Sequence, residues 1–186
     1  MNWQEIVGIL SMTVGIASSI PYAIAILKKQ AKPQRITWFL FSVLAVNFLI
    51  SAIMTGGNVW FTVGSLIGPT LIFILSIKYG VGGKSRLDIG SLIFVAIAFV
   101  LLFIVANKLA GLLLTFAIDA TGAFLTLKKV LKDRASEPKL AWAISSLSGF
   151  LGVLSVAHFS FENLLYPVYI FVFTTFMFVV AKGKLK

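Results

Sequence analysis

Between Ser91 and Asn107 every residue is apolar, Leu-Ile-Phe-Val-Ala-Ile-Ala-Phe-Val-Leu-Leu-Phe-Ile-Val-Ala. A strand of a membrane barrel alternates apolar and polar residues, and a helix on a water-soluble core keeps a polar face. An unbroken apolar run fits a helix surrounded by lipid. Six more apolar runs occupy the rest of the chain: 6–27, 36–54, 60–77, 109–127, and a stretch over 140–181 divided at 160–163. At about 20 residues per span, seven spans leave only short loops of the 186 residues and no soluble domain. The balance of 59% hydrophobic to 12% charged residues agrees. The first run is expected to be a retained helix and not a secretory signal, because Met1-Asn-Trp-Gln-Glu5 has no basic residue.

The charges are unevenly placed. Lys28, Lys29, Lys32 and Arg35 follow the first run; Lys78, Lys84 and Arg86 follow the third. Lys128, Lys129, Lys132, Arg134 and Lys139 follow the fifth, and Lys182, Lys184 and Lys186 end the chain. Of the sixteen basic residues only Lys108 falls on the other side. The positive-inside rule then puts the N-terminus outside and the C-terminus in the cytoplasm. The net charge of +10 becomes a belt facing anionic membrane lipids, each cation worth about 1 kcal/mol, and nucleic acid is not an expected partner.

The chain carries an internal repeat. Leu27-Lys28-Lys29 recurs as Leu127-Lys128-Lys129 and Lys32 as Lys132; further on Trp38, Ser42, Ser51, Thr70 and Lys78 recur as Trp142, Ser146, Ser155, Thr174 and Lys182. Each copy reads as helix, basic loop with a proline (Pro33, Pro138), Trp-led helix, short turn and proline-containing helix. The expected fold is an all-α membrane protein with seven transmembrane helices. Residues 1–80 and 108–186 form two parallel three-helix bundles, and linker helix 4 in 81–107 joins them (3+1+3).

This layout resembles the SWEET and PQ-loop transporters. Gly15-Ile-Ala-Ser-Ser-Ile-Pro21-Tyr22, followed by Leu27-Lys28-Lys29, is similar to the family's proline-containing first helix and basic loop. The family's Pro-Gln dipeptide is Pro21-Tyr22 here, and Thr121-Gly122 stands in the second copy. Pro33-Gln34 holds the dipeptide in a basic loop and is read as coincidence. The resemblance implies a transporter moving a small polar solute by alternating access. It also makes the third and seventh helices pocket-lining, with Thr70, Thr174 and Tyr169 as secondary candidates.

Asp119 is the most informative single residue. It sits mid-helix, about 16 Å along the axis from Lys108. An ionisable group at that depth usually faces a bundle interior or wet cavity. It either carries protons, contacts substrate, or is a hydrogen-bonded acid that locks helices together. Thr115, Asp119, Gly122 and Thr126 share one helical face, and Gly15, Ser19 and Tyr22 share the corresponding face of the first helix. The two stripes are expected to line a central path or to permit close packing. Asn47, with Ser51 and Thr55 on its face, is a solute ligand or an interhelical bond. Pro21, Pro69 and Pro167 are hinges or passive kinks. Trp38 and Trp142 read as interfacial anchors, His158 as an outer-edge residue, and Ser145, Ser148, Gly149 and Gly152 as a packing face.

With no cysteine and one histidine, neither a metal centre nor a cofactor is expected. No paired carboxylates or nucleophile–histidine arrangement stands inside the apolar runs, so an enzyme is not expected. A seven-helix receptor or cargo-binding protein is the alternative on the same fold, and a homo-oligomer is a possible assembly.

Overall fold

The computed structural model describes residues 1–104 and 108–182. The end of the fourth apolar run, the side chain of Lys108, and Lys184 and Lys186 lie outside the described residues. Seven α-helices run through the described residues: α1 (Trp3–Leu27), α2 (Arg35–Thr55), α3 (Val59–Tyr79), α4 (Arg86–Ile104), α5 (Lys108–Lys132), α6 (Lys139–Leu154) and α7 (Phe161–Val180). A 3-10 turn over Arg134–Ser136 links α5 to α6. Four of the helices, α1, α2, α3 and α7, are long and apolar enough to cross a membrane, and α6 is a shorter apolar helix. Ile24, Ile53, Ile74 and Val172 are exposed on the outside of these spans, as a lipid-facing wall requires.

Local chemistry sets the helix ends. Asn2 caps α1 in a reciprocal capping box with Glu5. Gln34, Asn58 and Ser160 cap α2, α3 and α7 through their side chains. Gly56, at φ 68°, ends α2 in the left-handed region that glycine tolerates. The division between the last two helices falls earlier than 160–163. Ser155 closes α6, and Ser160 already accepts from the Asn163 amide as the cap of α7. The serine that reads as a break is the start signal of the next helix.

α1 packs against α3 and α6, and α2 against α3 and α5; α6 packs against α7, and α5 also meets α7. α4 lies chiefly along α5, burying Val95 and Ala98 while Ile93, Ile97 and Val100 face outward. Small residues allow the closest contacts. A Cβ on Gly64 would stand 2.8 Å from Met12 Cα, and one on Gly149 would stand 2.7 Å from Phe171 Cα. Ser11 and Ser148 tie α1 to α6 by donating to each other's carbonyl oxygens at 2.7 and 2.8 Å. We expect Gly64→Val and Gly149→Val each to cost about 1–3 kcal/mol of stability in detergent. Gly90→Ala, inside α4 with open space at its Cβ, should not lower the unfolding midpoint and should raise it slightly. Equal midpoints for all three variants would show that the close approaches do not constrain packing.

The basic loops are gathered at one end of the bundle. Val81 N–H donates to Pro33 O at 2.8 Å and Arg35 N–H to Val81 O at 2.9 Å. Lys32 N–H reaches Ser136 O, and Lys182 N–H reaches Arg134 O at 2.8 Å. Gln34 helps to hold this end together. Buried, it accepts from the Thr37 amide and donates to Asp88 Oδ1 at 2.6 Å, tying the start of α2 to the start of α4.

Candidate functional site

A cavity lies at the centre of the bundle, with about 90 Å³ open to the centre of a water molecule. α1 contributes Gly15, Ser18, Ser19 and Tyr22; α3 contributes Gly64, Ser65, Gly68 and Pro69. Ala141, Trp142, Ser145 and Ser148 come from α6, and Tyr166, Ile170, Phe173 and Thr174 from α7. α2 adds Trp38 and Phe41, and α5 adds Asp119. Among the described residues Asp119 is the charged one on this wall, and no basic residue joins it.

Five rings form a closed collar on the side of the basic loops. Tyr22 meets Trp38 edge-on with centroids 5.0 Å apart, Trp38 meets Phe41 at 5.7 Å, and Phe41 meets Phe173 at 6.2 Å. Phe173 meets Trp142 at 5.7 Å, and Trp142 returns to Tyr22 at 6.2 Å. These distances favour the attraction of ring edges to ring faces. Trp38 and Trp142 are both buried, so they are not interfacial anchors. The helix entries they open are drawn inward by the collar. Trp38 Nε1 has no hydrogen-bond partner.

Behind the collar sits Glu137, whose side chain is fully buried. Tyr22 Oη donates to its Oε2 at 2.5 Å and Trp142 Nε1 donates to the same oxygen at 3.0 Å. Lys129 Nζ pairs with Oε1 and also donates to Lys32 O at 2.5 Å. Burial of a carboxylate is tolerable because a cation and two neutral donors satisfy it. One residue therefore joins the ends of α1, α5 and α6. Sequence reasoning missed it. The available signal was an acid next to Pro138, five residues ahead of Trp142, inside a loop otherwise rich in lysine.

At the opposite end Phe48 stacks on Tyr166 at 3.7 Å, and Phe61 lies 5.6 Å from the same ring. Phe61 and Tyr166 also bound a second, smaller cavity of about 30 Å³, whose wall includes Ser51, Thr55, Asn58 and Asn163. These two rings partition the outer space from the central one.

Of the residues singled out from sequence, Gly15, Ser19, Tyr22, Asp119, Thr174 and Pro69 line the central cavity, and so do Trp38, Trp142, Ser145 and Ser148, which read as anchors and a packing face. Asn47, Thr70, Thr115 and Tyr169 do not. Asn47 is half-buried on α2, away from it. Thr70 bonds back to Leu66 O and Thr115 to Gly111 O. The rest of the α5 stripe serves packing: Gly122 O accepts from Thr37 Oγ1 at 2.9 Å, and its Cα faces the Phe41 ring. Pro21 and Pro167 lie inside α1 and α7, with Pro167 on the smaller cavity. Asp119 is 3% exposed, and its Oδ2 has no hydrogen-bond partner. The Tyr169 hydroxyl lies beside the Asp119 carboxyl, close enough to interact as a hydrogen-bond donor though not in good geometry, and the Tyr169 ring stacks on Phe173. The acid is thus connected to the collar through two rings.

Comparison with known proteins finds no matching family model, no matching curated protein and no matching solved structure.

Proposed function

We propose that the chain is a membrane transporter that moves a small polar solute by alternating access, with the central cavity as its solute site. The observation that carries this reading is a central cavity with a mostly apolar wall that bears several serines and Asp119, flanked by aromatic groups at both ends, Tyr22, Trp38 and Trp142 at one and Phe48, Phe61 and Tyr166 at the other. A solute held there is accessible from one side only when one closure opens. The packing pattern supports two three-helix repeats, 1–80 and 108–186, around linker 81–107. Exchanging α1, α2 and α3 for α5, α6 and α7 turns the α1–α6 contact into α5–α2 and the α2–α3 contact into α6–α7, while the extensive α1–α3 contact has only a slight counterpart in α5–α7. Ser19 and Asp119, and Trp38 and Trp142, are matched repeat positions that line the same cavity. In this reading, which shares its layout with SWEET and PQ-loop transporters, Pro21, Pro69 and Pro167 absorb the bending as the closures exchange.

Tracer uptake into vesicles holding the purified chain, against a panel of sugars, amino acids, vitamins and organic cations, tests the proposal. Saturable entry of one solute is expected. Saturable binding without entry would instead make the chain a receptor or cargo-binding protein. The orientation has its own check. The basic belt puts the loop of Lys84 in the cytoplasm and Asn58 outside. Cysteines at Asn58 and Lys84 should then react with an impermeant reagent from opposite sides, and labelling of both from outside would reject the topology.

A further inference from the structure

We propose that the central cavity takes a small organic ammonium ion with no carboxylate of its own, held by the Asp119 charge and by the faces of the aromatic collar. This assignment rests on the cavity being the solute site. Three observations converge on it. The buried Asp119 carboxyl has one oxygen in no well-formed hydrogen bond, its neighbouring donor Tyr169 is neutral, and no basic residue shares its wall among the described residues. An uncompensated carboxylate in such a place is costly, and a cationic ligand supplies the missing charge. Lys129, behind the collar on the loop side, is already paired with Glu137, so it offers nothing to an anionic ligand.

The collar supplies the second half of the recognition. Tyr22, Trp38, Phe41, Trp142 and Phe173 surround the space with rings, and ring faces attract cations, most strongly when water is excluded. Two of the five are tryptophans, the ring that binds cations best. Their centroids lie 6.1 Å apart at a tilt of 31°, so the two faces are near each other without being stacked. The free space suits a ligand of a few non-hydrogen atoms and excludes a bulky one. A ligand bearing its own carboxylate would meet Asp119 with a like charge and find no cation to answer it.

The test is equilibrium binding to the purified full chain in detergent, at constant ionic strength. Choline chloride is compared with 3,3-dimethylbutan-1-ol, a neutral molecule of the same shape, and with glycine betaine, which adds a carboxylate. Choline should bind saturably and raise the unfolding midpoint. The neutral alcohol and betaine should bind at least ~10-fold more weakly. Phe173→Leu, which keeps apolar volume but removes a ring face, should weaken choline and leave the alcohol unchanged. Equal binding of choline and the alcohol, or displacement of choline by sodium ions alone at equal concentration, overturns the proposal. The comparison among ligands uses the unaltered chain, so a variant that fails to fold does not obscure it. Choline that binds but does not enter vesicles sinks the transporter reading and leaves the ammonium site standing. Entry of a neutral solute with no binding of choline does the reverse.

Discussion

Asp119→Asn should reduce both choline counterflow and pH-driven accumulation in vesicles by about 10- to 100-fold. The amide preserves shape and hydrogen-bonding capacity but removes the charge. A charge-assisted contact in a water-poor cavity is worth about 1.5–3 kcal/mol, which sets that range. The neighbouring Tyr169 hydroxyl can still donate to the amide oxygen, so the charge is the main thing the substitution removes. If the loss is confined to pH-driven accumulation and exchange survives, Asp119 carries a proton and does not hold the solute. Survival of both modes would leave the acid with a packing role alone.

Glu137→Ala should cost about 3–5 kcal/mol of stability, because it leaves Lys129 without its partner and strands two buried donors, Tyr22 Oη and Trp142 Nε1. Glu137→Gln keeps an acceptor for both rings and loses only the charge, so its cost should be smaller, about 1–3 kcal/mol. Removing Lys129 together with Glu137 should cost less than the sum of the two single changes, since they form one network. Unfolding of Glu137→Ala, Glu137→Gln, Lys129→Ala and the double variant in mixed micelles measures all four values. A Glu137→Ala protein within about 0.5 kcal/mol of its parent would show that the cluster contributes nothing to the fold.

The two residues show which parts of a site a sequence can disclose. Asp119 stands out because it interrupts an apolar run, and a lone acid there has few inexpensive environments. Glu137 does not stand out, because it sits among Lys128, Lys129, Lys132, Arg134 and Lys139, where an acid reads as part of a solvated loop. Its burial depends on α1 and α6 bringing Tyr22 and Trp142 to it from 115 residues upstream and five downstream. Trp38 and Trp142 were visible as a matched pair, but their inward orientation was not. A tryptophan opening a membrane helix ordinarily rests at the interface. Here the pairing of α2 with α5 and of α1 with α6 turns both rings toward the axis.

The helical class and the apolar runs follow from the sequence by itself, whereas the caps at Asn2, Asn58 and Ser160 became visible only in the structure. Lipid offers the backbone no hydrogen bonds, and so an apolar run of sufficient length must satisfy its own as a helix. The segregation of charge followed in the same way, and the structure gathers the described basic loops at one end through backbone bonds such as Val81 to Pro33. Which face of each helix turns inward was settled only by tertiary structure. Helix moments are weak when nearly every position is apolar, and lipid and protein interior are almost equally hospitable to Leu or Ile. The inward faces are chosen instead by close approaches at Gly64 and Gly149, by the Ser11–Ser148 exchange and by the Glu137 network. Those contacts join residues far apart in the chain, and they decide that Asp119 reaches the cavity while Asn47, Thr70 and Thr115 do not.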